Sequence, residues 1–254
     1  MIRPKTESEL IAMRASGRLA AMVLQRLAAA TLPGITTRDL DELARELIRA
    51  HGATSAFLGY RGGAGAAPFP GAICVSVNEE VIHGIPGPRR IQPGDAVSID
   101  VGVKYEGFIG DTATTVLVGA VSPEIERLAA TTRRALEAGI AAVRAGARLS
   151  DVSHAVEQTA LAGGCCVVRE FVGHGVGREL HEEPQVPNYG KPGHGPVLQA
   201  GMTFCIEPMV NLGRAAVEVL ADHWTVVTRD RRPSAHFEHA VAVLPDGAEV
   251  LTRT

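Results

Sequence analysis

Asp100 and Asp111 lie in the segment AVSIDVGVKYEGFIGDTATTVLV, whose alternation around a short polar break predicts a β-hairpin. With Tyr105-Glu106 as the two-residue loop the aspartates are directly opposed, and with Glu106-Gly107 they are diagonal neighbours. In either register they share a face, because side chains alternate along a strand and opposed residues lie on the same side. Their Cβ atoms are then about 4.5–5.5 Å apart if opposed, or about 7–8 Å if diagonal. Two carboxylates held that close on a half-buried sheet repel one another. They need a shared proton, a cationic partner or a metal. Val97, Ile99, Val101 and Val103 supply an apolar opposite face. The plainer alternative is a pair of solvated acids on an exposed strand.

A repeat of the pattern weighs against that alternative. Gln92-Pro-Gly-Asp-Ala-Val-Ser-Ile-Asp100 returns as Gln199-Ala-Gly-Met-Thr-Phe-Cys-Ile-Glu207, offset by 107 positions. Gly34 and Asp39 have the same spacing as Gly146 and Asp151. The chain therefore reads as two related halves, each helix-helix-strands, meeting near residue 119. Each half ends a strand on an acid. A fourth acid, Glu238 in SAHFEHAVAV, is expected where Asp111 stands in the first half. Four acids pooled at a pseudo-two-fold axis could hold two divalent ions through bridging carboxylates. Oxygen-rich ligation with one imidazole suits manganese, iron or cobalt at least as well as zinc.

Three histidines gain interest beside such a site: His83 in NEEVIHGIPG, and His174 and His181 in FVGHGVGRELHEEP. Glycines 173, 175 and 177 allow close backbone approach around His174. No helix signal follows them, so a dinucleotide fingerprint is not indicated. His51, His154 and His194 read as ordinary packed or surface residues.

The elements that must position these groups are legible in outline. Thr6 and Glu9 form a capping-box pattern ahead of a helix to about Ala30. A second helix is expected over about Thr37–His51, with Leu40, Leu43, Leu47 and Ile48 on one face. Ser122-Pro123 starts a third, ending near Gly146, and a fourth covers about Asp151–Leu161. Strands are expected around 72–77, 95–104, 108–118, 167–172, 202–210, 215–220, 224–228 and 236–243.

Composition excludes more than it selects. Hydrophobic residues make up 46% and charged residues 21%, as in an ordinary globular protein. A net charge of −3 and the lack of a basic tract argue against nucleic-acid binding. The start, MIRPKTESELIAM, has no apolar core for a signal peptide, and no run is long enough to span a membrane. Cys74, Cys165, Cys166 and Cys205 show no CxxC spacing, which fits a reduced, cytoplasmic setting.

The motifs VNEEVIHGIP, IDVGVKYEGFIGDT, GHGVGRELHEEPQVPNY, MTFCIEPMV and FEHAVAV, in that order, resemble those of type I methionine aminopeptidases of the bacterial kind. The resemblance spans nearly the whole chain. It implies the α+β pita-bread fold, in one metallopeptidase domain covering 1–254 with halves of about 1–118 and 119–254. It implies removal of the initiator methionine from nascent chains and peptides when the second residue is small. Two divalent ions (cobalt, manganese, iron or zinc) would sit on Asp100, Asp111, His174, Glu207 and Glu238. Glu207 would be the general base, His181 would stabilise the oxyanion, and His83 would bind the scissile amide. The methionine pocket would be formed by Phe57, Tyr60, Cys74, His83, Leu180 and Trp224. A monovalent cation, sodium or potassium, would fall near Asn78, Glu80 and Ser234. A monomer, with transient ribosome contact, completes the family picture.

Two departures from that pattern stand out. Arg61–Gly71 is longer and richer in Gly and Ala than usual, and is expected to loop out near the pocket mouth. Leu180 stands where the family commonly has an aromatic residue, which implies a wider or differently shaped pocket. Competing readings are a prolidase or aminopeptidase P relative, which usually carries a further N-terminal domain, and a non-catalytic binding module on the same fold. A hydrolase using Cys165 or Cys166 has no motif behind it.

Overall fold

In the computed structural model, residues 2–62 and 67–253 are described. Helix α1, Glu7–Ala30, begins with the predicted box: Thr6 Oγ1 accepts from Glu9 N–H, and the Glu9 carboxylate accepts from Thr6 N–H. Helix α2, Thr37–Ala50, repeats the device with Thr36 and Asp39. Helix α3, Pro123–Ala142, starts at the Ser122 cap and stops four residues short of Gly146. Helix α4, Leu149–Ala162, starts earlier than expected, with Arg148 at its N-cap position. Asp151 sits in the first turn and accepts from the Arg148 N–H at 2.9 Å.

The strands that carry the site are β1 (Cys74–Val77), β2 (Ala96–Tyr105), β3 (Phe108–Leu117), β4 (Gly173–Gly175), β5 (Glu182–Val186), β6 (Thr203–Ile206), β7 (Met209–Asn211), β8 (Ser234–His236), β9 (Glu238–Leu244) and β10 (Gly247–Val250). The main sheet runs β2-β3-β9-β6-β4-β5 in antiparallel pairs, with β1 and Thr54–Ser55 beside β2 and β10 beside β9. Strands β8 and β7 continue into a small sheet with Cys166–Val167, all that forms of the strand expected over 167–172. Strands β4, β5 and β10 have no counterpart among the strands expected from alternation. Helices α1 and α2 cover the first half of the sheet through Leu24, Leu27, Leu40 and Ile99, and α3 and α4 cover the second through Leu128, Leu136, Val156 and Ile206. A third apolar cluster, with Met13, Phe57, Cys74, Leu180 and Cys205, draws on both halves and lies under the site.

The hairpin adopts the second of its two predicted registers. Tyr105 pairs with Phe108, leaving Glu106-Gly107 as the loop, and both loop residues have positive φ (51° and 79°) as a type I′ turn demands. Asp100 therefore faces Ala113, Asp111 faces Gly102, and the aspartates are diagonal. On the far side of β3, Ser16 Oγ of α1 reaches Val103 O and Phe108 O, and the helix backbone crowds the strand. A Cβ on Gly110 would overlap the carbonyl of Ser16, so only glycine permits this seat.

The echo extends to hydrogen bonds. Gly34 N–H donates to Ile91 O, and Gly146 N–H to Leu198 O, 107 positions on from Ile91. Thr37 N–H donates to Arg89 O, and Leu149 N–H to Pro196 O, again 107 on. Where the returning strands join, Gly94 N–H donates to Val118 O and Gly201 N–H to Val243 O, so these strands are offset by 125. That offset corrects one expectation. Glu238 corresponds to Ala113, and the residue equivalent to Asp111 is His236.

One ladder explains the shift. The pairing of β6 and β7 with β9 and β8 keeps a single register from Thr203↔Ala242 to Asn211↔Ser234. It is interrupted only where Pro208, which lacks an N–H, meets Phe237, so each strand expected as continuous (202–210 and 236–243) divides in two. Glu207 thereby falls directly opposite Glu238.

Candidate metal centre

The registers align one row across four strands. Asp100 on β2 faces Ala113 on β3, Ala113 faces Glu238 on β9, and Glu238 faces Glu207 just past β6. Asp111, two residues from Ala113, lies on the same face. The row opens on a cavity of about 290 Å³, lined by all four acids together with His83, His174 and His181. Its apolar walls include Phe57, Tyr60, Cys74, Leu180 and Trp224, so every residue expected to form the pocket borders the same space. Ile82, Phe69 and Phe171 line it as well. Gly102, opposite Asp111, leaves room for the Phe57 ring, which a Cβ there would meet at 2.5 Å.

The electrostatics are those of a site built for cations. Asp111, Glu207 and Glu238 are buried, and the four acids are close enough to repel. Burial raises the Asp100 carboxyl to about 7. Burial, and then the neighbouring acids, push Asp111, Glu207 and Glu238 well above the ordinary carboxylate range. Each of the four acids keeps one buried oxygen without a hydrogen-bond partner among the described residues: Asp100 Oδ1, Asp111 Oδ1, Glu207 Oε1 and Glu238 Oε1. Buried polar atoms are normally satisfied, so four such oxygens on one cavity mark a place for positive charge.

His174 points the same way. Its Nδ1 lies 3.0 Å from Gly175 O, a carbonyl that can only accept, so the proton sits on Nδ1. Burial, reinforced by His181, lowers its pKa to about 3 and keeps the ring neutral. The free lone pair on Nε2 then faces Glu207 Oε1 at 3.4 Å and Asp111 Oδ2 at 3.7 Å. Three acceptors facing one another repel unless a proton or a metal ion lies between them. The donor atoms of Asp111, His174, Cys205 and Glu238 all lie within 4.8 Å of one another, a spacing that fits a metal ion.

Supporting contacts fix these groups. Asn188 Nδ2 donates to Glu207 O at 3.1 Å. Glu182 Oε1 accepts from the N–H groups of Arg178 and Glu179, while Oε2 binds Lys5 Nζ at 2.7 Å. Together they shape the turn that delivers Leu180 and His181. Tyr60 Oη lies 2.6 Å from His181 Nδ1, which leaves His181 Nε2 free. His83, at φ 58°, stands edge-on to Phe171 and Trp224, and burial, followed by His181, lowers its pKa to about 4. Trp224 Nε1–H donates to Ala67 O at 2.9 Å, so one end of the Arg61–Gly71 segment does touch the pocket wall. Residues 63–66 of that segment lie outside the described residues.

Of the residues expected at the monovalent site, Asn78 and Ser234 meet through Ser234 N–H and Asn78 O at 2.8 Å. The Glu80 carboxylate instead accepts from Val77 N–H and pairs with Arg89, both at 2.8 Å. Two residues of the centre were not singled out by sequence reasoning, Cys205 and His236. Each lies two positions from an acid (Glu207 and Glu238) within a segment expected as one continuous strand, so alternation was the signal that could have found them.

A pita-bread α/β structure with a carboxylate-lined centre is that of a metal-dependent peptidase. Residues 11–245 match the model of metallopeptidase family M24, and the chain belongs to that family. It is 47% identical to methionine aminopeptidase 1 of Bacillus subtilis over 253 residues, covering all of both chains. It is 48% identical to the methionine aminopeptidase of Clostridium perfringens, covering 99% of each. The crystal structure of methionine aminopeptidase from Rickettsia prowazekii superposes with a TM-score of 0.96 at 41% identity, over 100% of both chains. The prolidase from Pyrococcus horikoshii shares the fold alone, at TM-score 0.78 and 19% identity, and this chain spans 63% of its length.

Proposed function

We propose that the protein is a methionine aminopeptidase that removes N-terminal methionine from nascent chains and peptides whose second residue is small. The observation that carries the metal site is the set of four carboxylates, each with a buried oxygen that has no hydrogen-bond partner among the described residues, two of them facing the His174 lone pair. Asp100, Asp111, His174, Glu207 and Glu238 would hold two divalent ions, of manganese, iron, cobalt or zinc. Bound there, the ions would polarise the scissile carbonyl and lower the pKa of the attacking water. Glu207 takes the proton from that water as general base. His181, held by Tyr60, offers Nε2 to the developing oxyanion. His83 binds the scissile amide. Phe57, Tyr60, Cys74, Leu180 and Trp224 enclose the methionine side chain, and the cavity, near the small end of ligand pockets (about 300–1,000 Å³), suits one side chain and its peptide bond. A sodium or potassium ion near Asn78, Glu80 and Ser234 would rely on backbone carbonyls, since Arg89 already neutralises Glu80.

The whole chain acts in this reading as one domain of two halves, about 1–118 and 119–254. It works as a cytoplasmic monomer that meets nascent chains at the ribosome, and its four cysteines are all unpaired. The test is hydrolysis of Met-Ala-Ser by metal-reconstituted protein, with an X-Pro peptide alongside. Release of methionine that is abolished by chelation supports the reading. Efficient X-Pro cleavage without Met-Ala-Ser cleavage refutes it.

A further inference from the structure

We propose that His236 is a positioning residue of the metal centre, its Nε2–H holding the outer oxygen of Glu207. The inference rests on the metallopeptidase reading of this same site. His236 occupies the strand position that Asp111 fills in the first hairpin, and it shares a face with Glu238 two residues on. The side chain is 2% exposed, and its Nε2 has no hydrogen-bond partner among the described residues. That nitrogen points at Glu207 Oε2 from 3.9 Å.

The two oxygens of Glu207 are thus divided. Oε1 faces His174 and the acid cluster, and Oε2 faces His236. The His236 backbone is clamped on both sides by one hydroxyl: its N–H donates to Thr115 Oγ1 at 3.0 Å, and its carbonyl accepts from Thr115 Oγ1 at 2.8 Å. A side-chain adjustment of about 1 Å brings Nε2 within the 2.7–3.2 Å of a hydrogen bond. A neutral imidazole with its proton on Nε2 then donates to Oε2 and fixes the angle at which Oε1 meets the centre. Carboxylates that ligate metals are regularly held in this way by an outer partner.

The test compares His236→Gln, which keeps an N–H donor, with His236→Leu, which keeps bulk and removes it. Manganese(II) affinity is measured by calorimetry on metal-free protein, and kcat and KM for Met-Ala-Ser at saturating metal. Thermal melts of the metal-free proteins establish that each variant is folded. In His236→Leu the manganese affinity falls by about 10–100-fold and kcat falls with KM little changed, while His236→Gln recovers most of both. The proposal is overturned if His236→Leu binds manganese and turns over like the parent, or if His236→Gln is as impaired as His236→Leu. A parent protein that binds manganese without releasing methionine would refute the aminopeptidase reading instead, and the three affinities would still decide the role of His236.

Discussion

At the scale of single residues, the centre is defined by acceptors that no donor among the described residues satisfies. Asp111 lies on the shared face of the acid row and within the tight donor cluster, so its loss removes both a charge and a ligand. Asp111→Asn is expected to lower metal affinity and kcat/KM by more than the roughly 10–100-fold typical for loss of an outer partner. Wild-type-like turnover in metal-titrated Asp111→Asn protein would refute the assignment. His181 acts differently, since it sits at the rim and is oriented by Tyr60. His181→Ala should reduce kcat by about 10²–10³-fold, as for loss of one oxyanion donor, with metal content unchanged. Steady-state kinetics and metal analysis of the same preparation check both halves of that statement.

At the scale of elements, geometry is set by caps, turns and close approaches. Lys5, whose side chain is only 7% exposed, reaches Glu182 across the molecule and braces the turn that carries His181. Lys5→Ala should loosen that turn and lower kcat, by up to about 10²-fold for a misplacement near 1 Å, and Lys5→Arg should restore most of it. Equal kinetics in Lys5→Ala and the parent would show that the brace is dispensable. Gly110 belongs to the scaffold. Gly110→Ala drives a Cβ into the backbone of α1 and should cost about 1–3 kcal/mol, read as a lower melting temperature. The Gly107 turn shows how much of this was legible: two registers were open, and only the strand pairing chose between them, because both satisfy the alternation.

At the scale of the whole molecule, the pooled acids couple stability to pH and metal. Without metal, the folded protein retains carboxyl protons that the unfolded chain releases, because Asp100 titrates at about 7 and its three neighbours are raised too. At acid pH the buried histidines oppose this, because His83 is lowered to about 4 and His174 and His236 to about 3, so the unfolded chain binds protons there that the native state does not. Above about pH 7 those histidines are neutral in both states, the native state binds more protons through its acids, and stability falls as pH rises. Melting of chelated protein should therefore drop as pH rises from about 7 to 8. Added manganese or cobalt should restore it most at the alkaline end, where the carboxylates are free to bind. A metal-free melting temperature that rises across this range would contradict the picture.

By itself, the sequence determined the local elements and the set of acids. The Thr6 and Thr36 caps, the Ser122 start of α3, the repeat ending in Asp100 and Glu207, and the shared face of Asp100 and Asp111 all come from propensity, spacing and a period of two. It also carried the family resemblance, on which His174, His83 and His181 depended. Only the tertiary structure decided which residue faces which. Pairing of the two hairpins put Ala113, not Asp111, in correspondence with Glu238, placed Glu238 opposite Glu207, and left His236 where Asp111 stands in the other half. It also brought Cys205 into the cluster and braced the His181 turn from Lys5, at the far end of the chain. The reason is physical: alternation fixes the face of a side chain, but long-range hydrogen bonding fixes its register, and a metal site is made by register.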